Sequence, residues 1–212
     1  MKSQTLNKLQ KTLLIAVVLI SSINVGFGQS GSRYGDPLLD SLYKITKSPK
    51  LDSVHFAANA DLCFYLASTE PKAAIKYGVK AVEMAKELNL KEGEAEAYRY
   101  IGNCYQNQTN NLEAQKYYMK ALKLHEKIGN LSGIARAHTS IGFVHTSNND
   151  FKKAEAHYKK AIHYFTLAKD YKNIGSVYNR LGIMSIQSDH YKKGKQYLLQ
   201  ASKHILNYGG AQ

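Results

Sequence analysis

Small residues recur along this chain at a fixed step of 40, and that period constrains the fold more than any other feature of the sequence. Ala74, Ala114, Ala154 and Gly194 form one column, and Ala81, Ala121, Ala161 and Ala201 form a second. Gly102, Gly142 and Gly182 form a third, each preceded by a branched aliphatic residue, Ile101, Ile141 or Leu181. Tyr118 and Tyr158 share the step, which continues to Leu198. A fixed period of this size is the signature of an array of identical supersecondary units, each burying its apolar face on its neighbours.

Each unit reads as two helices. Tyr98, Ile101, Gly102 and Tyr105 fall at i, i+3, i+4, i+7 and share one helical face. The polar stretch Gln106–Asn111 interrupts that pattern, and Ala114, Tyr118 and Ala121 then form a second face. No proline follows Pro71, which favours uninterrupted helices joined by short turns. Sixteen Tyr and no Trp suit half-buried helix surfaces. The small columns mark close backbone approaches, so a Leu at Gly142 is expected to overpack. Asp150 is positioned to cap a helix, and Thr69-Glu70-Pro71 reads as a cap, an acid and a first-turn proline. Asn89 and Gly129 sit where helices end on a left-handed residue.

The motifs Y-x-x-I-G-x-x-Y in Tyr98–Tyr105 and A-x-x-x-Y-x-x-A in Ala114–Ala121, with the small columns, resemble the tetratricopeptide repeat (TPR) consensus. The resemblance covers about residues 53–206 and implies an all-α, right-handed superhelical solenoid of four repeats, 53–92, 93–132, 133–172 and 173–206. The 40-residue period is similar to the longer-helix variant of kinesin light chains and bacterial regulatory TPR proteins. The first unit departs most, with Leu62 in the Gly column and Gly78 in the aromatic column. The consensus aromatic of the first helix is Tyr98 and Tyr178, but Ala58 in unit one and His138 in unit three. The family proline is missing. Residues 29–52 form a lead-in with a short helix, and 207–212 a flexible tail. The lead-in, with Phe64-Tyr65-Leu66 and Ala73–Gly78, resembles exported TPR sensor regions of bacterial histidine kinases and regulators.

In this family the first helices line a concave groove. The resemblance places Phe56, Asn59, Cys63 and Leu66 of unit one on that lining. Unit two contributes Glu96, Arg99, Asn103, Gln106 and Asn107; unit three Arg136, Thr139, Phe143 and Thr146; unit four Ser176, Asn179, Ile183 and Ile186. The implied binding residues are Arg99, Asn103, Gln106, Arg136, Thr139, Phe143, Asn179 and Ile183. The two arginines suit a carboxylate. The amides and Thr139 suit an extended backbone, and Phe143 and Ile183 an apolar side chain. The competing reading pairs Arg99 with Glu96, one turn away, and leaves the groove solvated.

Residues 1–28 read as a signal peptide. Lys2, Lys8 and Lys11 precede an apolar run, Leu13–Ile20, with Gly26 and Gly28 placed for cleavage. The alternative is an N-terminal membrane anchor. Both readings send the chain to the periplasm or cell envelope. The whole chain carries +13, and residues 151–212 hold eleven Lys and Arg against Glu155, Asp170 and Asp189. Such a basic third attracts an acidic partner or an anionic membrane surface; export argues against nucleic acid. The simpler reading is a solvated lysine face. The last helix lacks a following cap, so a second copy is a further candidate for its open face.

Cys63 and Cys104 fall one register step apart, one toward the groove and one toward the second helix. This favours two buried thiols over a bridge. His138 and His145 stand in aromatic positions and read as core residues. No HExxH, CxxC, nucleophile elbow or phosphate loop occurs, so neither metal, cofactor nor catalysis is expected. The sequence therefore implies a scaffold for a protein or peptide partner, with envelope signalling as a setting. Docking through the basic last repeat is the alternative.

Overall fold

The computed structural model describes residues 36–208. Residues 1–28, read above as a signal peptide, and the tail beyond Tyr208 lie outside them. From Pro37 the chain is one compact unit of helices, with no strand among the described residues. A short lead helix, α1 (Pro37–Thr46), precedes four hairpins: α2 (Ser53–Tyr65) with α3 (Pro71–Glu87), α4 (Lys91–Asn107) with α5 (Asn111–Ile128), α6 (Leu131–Ser147) with α7 (Phe151–Leu167), and α8 (Tyr171–Gln187) with α9 (Tyr191–Tyr208). Helices pack in chain order, and the first helices also touch one another, α2 on α4, α4 on α6 and α6 on α8. This is an all-α repeat solenoid. The first helices of units two to four begin two residues ahead of 93, 133 and 173, and α9 runs two residues past 206.

The glycine column works as its period implies. A Cβ on Gly102 would lie 2.5 Å from Tyr118 Cε1, and one on Gly142 would lie 2.8 Å from Tyr158 Cε1. The small residue on the first helix is the seat of the aromatic ring on the second. In unit four the same seat, Gly182, receives Leu198. The rings of Tyr118 and Tyr158 are fully buried as a result. Removing such seats forces off-rotamer side chains in a close-packed core.

The turns obey a second rhythm at half the period. Asn89, Thr109, Gly129, Asn149, Lys169 and Asp189 all have positive φ, between 55° and 69°. The next residue donates its N–H back to the carbonyl five positions earlier: Asn110 to Tyr105, Asn130 to His125, Asp150 to His145 and Asp170 to Phe165. This is the Schellman closure, which satisfies the orphan carbonyls of a helix end. The same Asn and Asp side chains then accept from the third N–H of the following helix, at Glu113, Gly133, Lys153 and Asn173. One residue thus closes one helix and opens the next. Asp150 caps as expected. The cap before α3 does not follow expectation: Glu70, not Thr69, is the N-cap, its side chain makes no capping bond, and Pro71 opens the helix.

Unit one departs from the register. Gly78 stands where the other units carry Tyr118, Tyr158 or Leu198, and Leu62 fills the Gly column with no exposed surface. Bulk and void are exchanged between the two helices. A Cβ on Gly78 would lie 2.5 Å from Ile101 Cγ1 and 2.7 Å from Cys63 Sγ, so neighbouring side chains fill the space of the absent ring. With no ring there, α2 turns Asn59, Cys63 and Leu66 into the core, and α1 packs Leu42 onto its other flank.

Candidate functional site

The surface of interest is the face presented by the first helices. Its centre is Glu96 on α4. Arg99 donates to Glu96 Oε2 from Nε at 2.9 Å and Nη2 at 2.7 Å. Arg136, one unit on, donates to Oε1 from Nε at 3.2 Å and Nη2 at 3.0 Å. The fully buried His125 ring places Nε2 3.5 Å from the same oxygen, in a site that Gly133 keeps open, since a Cβ there would collide with the ring. Burial by itself would raise the Glu96 carboxyl. The His125 contact and the two guanidinium groups outweigh it and hold the acid well below the ordinary carboxylate range. The i+3 pair within α4 was legible in the sequence; the clasp to Arg136 across units was not. Both predicted carboxylate-binding arginines therefore reach the face already joined to an internal carboxylate.

The remaining predicted residues divide by environment. Tyr118 Oη lies 2.8 Å from Asn103 Oδ1 and 2.9 Å from Gln106 Oε1. The hydroxyl has one proton to give, so turning the Gln106 amide lets Nε2 donate to Tyr118 Oη. The amides thus anchor the packed tyrosine from the edge of the face. Thr139 donates its hydroxyl to the Ala135 carbonyl at 2.9 Å. Phe143 is 39% exposed, and the Arg180 guanidinium lies over its ring at 5.0 Å. Asn179 and Ile183 are half-buried beside them on α8. Among the described residues no carboxylate pairs with Arg180.

Unit one corrects the expected lining. Asn59, Cys63 and Leu66 are buried rather than inward, for the reason given above, and Phe56 is half-buried against Gly93. Ala57, Asp61, Phe64 and Tyr65 are exposed instead. The Phe64 ring lies 5.3 Å from that of Tyr100, and Arg99 sits 4.8 Å over Tyr100. Tyr100 and Arg180 escaped the sequence reading because they occupy the column one residue after Arg99 and Asn179. The face therefore holds two arginine–aromatic pairs, Arg99 on Tyr100 and Arg180 on Phe143, flanking the Glu96 clasp.

Two other features frame this face. Lys193 reaches both oxygens of Glu155 at 2.8 Å and Lys159 adds a contact at 2.9 Å, joining α9 to α7. Burial opposes that ionisation but the lysines prevail, holding Glu155 at about 2. On the flank of unit three, His138, His145 and His157 stand where unit two has Tyr98, Tyr105 and Tyr117. The tyrosines stack at 6.2 and 5.4 Å, and the histidines at 5.2 and 5.4 Å. No group of three or more His, Cys, Asp or Glu among the described residues is placed to hold a metal ion. No helix among them is long and apolar enough to cross a membrane.

This architecture defines a helical-repeat interaction scaffold. Residues 93–167 match the tetratricopeptide repeat family model, so the two central units are tetratricopeptide repeats. No curated protein matches it. Among solved structures, a Rap protein complexed with Competence and Sporulation Factor is similar at TM-score 0.70 and 15% identity, over 81% of this chain and 49% of that one. BtubC (BKLC) from P. vanneervenii is similar at TM-score 0.64 and 14% identity, over 82% of this chain and 73% of that one.

 The nearly identical TPR-like repeats assigned to a kinesin light chain of Podosopora anserina are similar at 0.60 and 10% identity, over 81% and 85%. At these identities the likeness is one of fold, and the chain spans about half the length of the Rap protein.

Proposed function

We propose that this chain is an exported scaffold that holds a protein or peptide partner on its first-helix face and performs no chemistry of its own. The observation that carries the reading is Arg180. It is an exposed cation lying over the exposed Phe143 ring, beside half-buried Ile183 and Asn179. An arginine held by an aromatic ring keeps its donors for an incoming acid, and the ring and Ile183 offer apolar area to a neighbouring side chain. The fitting ligand is an extended segment with an acidic group next to an apolar one. Asn103, Gln106 and Thr139 border its path, while the Glu96 clasp fixes Arg99 and Arg136 as walls that keep a net positive charge. That a Rap protein of the same fold is complexed with Competence and Sporulation Factor supports a binding role. Export rests on residues 1–28, and the envelope, with signal relay to a separate kinase, is the setting that export implies.

The test is selection of random peptides displayed on phage against immobilised residues 29–212, followed by calorimetric titration of the enriched sequences. Acidic–apolar peptides are expected, binding at least tenfold more weakly to a Phe143→Ala, Arg180→Glu variant with an unchanged melting temperature. Equal affinity for parent and variant would move the site off this face. N-terminal sequencing of the protein from its native cells tests cleavage after Gly28.

A second reading has its own observation. Glu155 is already engaged by Lys159 and Lys193 and Asp150 by Lys153, so Lys152, Lys160, Lys192, Lys195 and Lys203 form an exposed positive field on α7 and α9. Leu199, Ile205 and Leu206 are exposed on the same last helix. Docking to an acidic partner, an anionic membrane surface or a second copy through this end would be weakened strongly by salt, because exposed charges are screened over a Debye length of ~8 Å.

A further inference from the structure

We infer that Cys63 and Cys104 form a disulfide site that fastens the first repeat to the second. They are the only cysteines of the chain, and they come from neighbouring first helices, α2 and α4. Both are fully buried, and their sulfurs face each other at 3.7 Å. The expected register separated them; the inward turn of α2 brings them together. Gly78 makes this arrangement fit, since a Cβ there would lie 2.7 Å from Cys63 Sγ. The sulfur occupies space that the aromatic column fills in other units. Bond formation needs the sulfurs to close from 3.7 Å to ~2.05 Å.

The thiol of Cys104 is held below its usual range by the hydrogen bond from Cys63, which makes it the more readily ionised of the two. The reaction is exchange with an external disulfide, RSSR, either a small-molecule or a protein disulfide. The Cys104 thiolate attacks one sulfur of RSSR, forming a mixed disulfide and releasing RS⁻. Cys63, losing its proton, then attacks Cys104 Sγ and expels the second RS⁻. The two thiols are oxidised, RSSR is reduced to two RSH, and the two cysteine protons end on the released thiols. Because neither sulfur is exposed, exchange proceeds while unit one is open, during folding or local unfolding at the end of the array. The product closes a loop through α3 and joins α2 to α4, so the terminal repeat can no longer separate from its neighbour. This inference is independent of which face binds the partner.

The full chain is refolded from denaturant in mixtures of oxidised and reduced glutathione, quenched with acid, and its free thiols are alkylated under denaturing conditions. Intact mass and peptide mapping then follow. The expected result is a monomer 2 Da lighter than the reduced chain, with Cys63 joined to Cys104. It should exceed the reduced form at least tenfold at equal glutathione concentrations and melt at a higher temperature than the reduced chain. Free thiols, glutathione adducts or chain-to-chain bridges predominating under those conditions would overturn the inference, as would a bridged form that melts below the reduced one. A Cys63→Ala chain, folded or not, must lose the 2 Da change.

Discussion

Replacing Glu96 by Gln keeps the shape of the side chain and removes the charge that joins two repeats. The amide offers one oxygen where the carboxylate offers two, and its nitrogen must face either Arg99 or Arg136. Breaking a fully buried pair costs ~3–5 kcal/mol, whereas an exposed pair is worth ~0.2–1 kcal/mol. Side-chain exposure is 20% for Glu96, 17% for Arg99 and 32% for Arg136, between those limits. A loss of about 2 kcal/mol follows, which for a chain of this size lowers Tm by about 4–8 °C. Thermal melts followed by helical circular dichroism near neutral pH measure it. A cycle with Arg136→Met isolates the link between units, with a coupling of about 1 kcal/mol expected. The pH dependence has a definite sign. The folded carboxyl is depressed below its ordinary 4.5, so its contribution is complete above that value and drains as pH falls toward the folded pKa. The gap between parent and variant should therefore shrink in acid. A Tm change within 1 °C, or a gap that is constant down to low pH, would refute the clasp.

Gly142→Leu should destabilise by about 3 kcal/mol through collision with the Tyr158 ring, measured by chemical denaturation; an unchanged midpoint would remove the seat-and-ring account. His138 is depressed to about 4 by burial first and by the His157 and Lys160 charges second. Its unfolded form takes up a proton near 6.5 while the folded form does not, so stability should fall as pH drops from ~6.5 to ~4. The shift corresponds to ~3 kcal/mol at most, and partial solvent contact reduces this to about 2 kcal/mol. His138→Tyr, which restores the ring of unit two, should flatten that dependence in melts across the same pH range. Lys169→Gly should raise Tm by about 1–2 °C, since the backbone there has φ 56° and the matching residue of unit two is already Gly129.

The parts of this fold legible in the sequence are those where one chemistry repeats because one contact repeats. Gly102, Gly142 and Gly182 can be read because each seats a large side chain, and no other residue leaves that space. The left-handed turn column is equally regular in space but not in letters. Asn89, Thr109, Gly129, Asn149, Lys169 and Asp189 share a conformation whose modest cost any of them can meet, so only its Gly and first Asn gave a signal. Unit one misled because it keeps the total volume and exchanges its placement: Leu62 and Gly78 invert the pair found at Gly102 and Tyr118. That inversion turned Cys63 from a lining residue into the partner of Cys104, a consequence no local pattern carries.

The candidate face shows the same division between local and distant information. Arg99 and Glu96 are one turn apart, and their pairing follows from helix geometry alone. Arg136 is 40 residues from Glu96 and meets it only because α4 and α6 stack in register. Once one carboxylate satisfies two guanidinium groups, neither is free for a ligand without a charge of equal quality to replace it. On the proposed function the binding role therefore falls to the arginine that has a ring instead of an acid beside it. Arg180 shares the column of Tyr100 and Ser140, whose chemistries have nothing in common. A position that differs in every unit has no packing duty to repeat, and that freedom is what suits it to the proposed recognition.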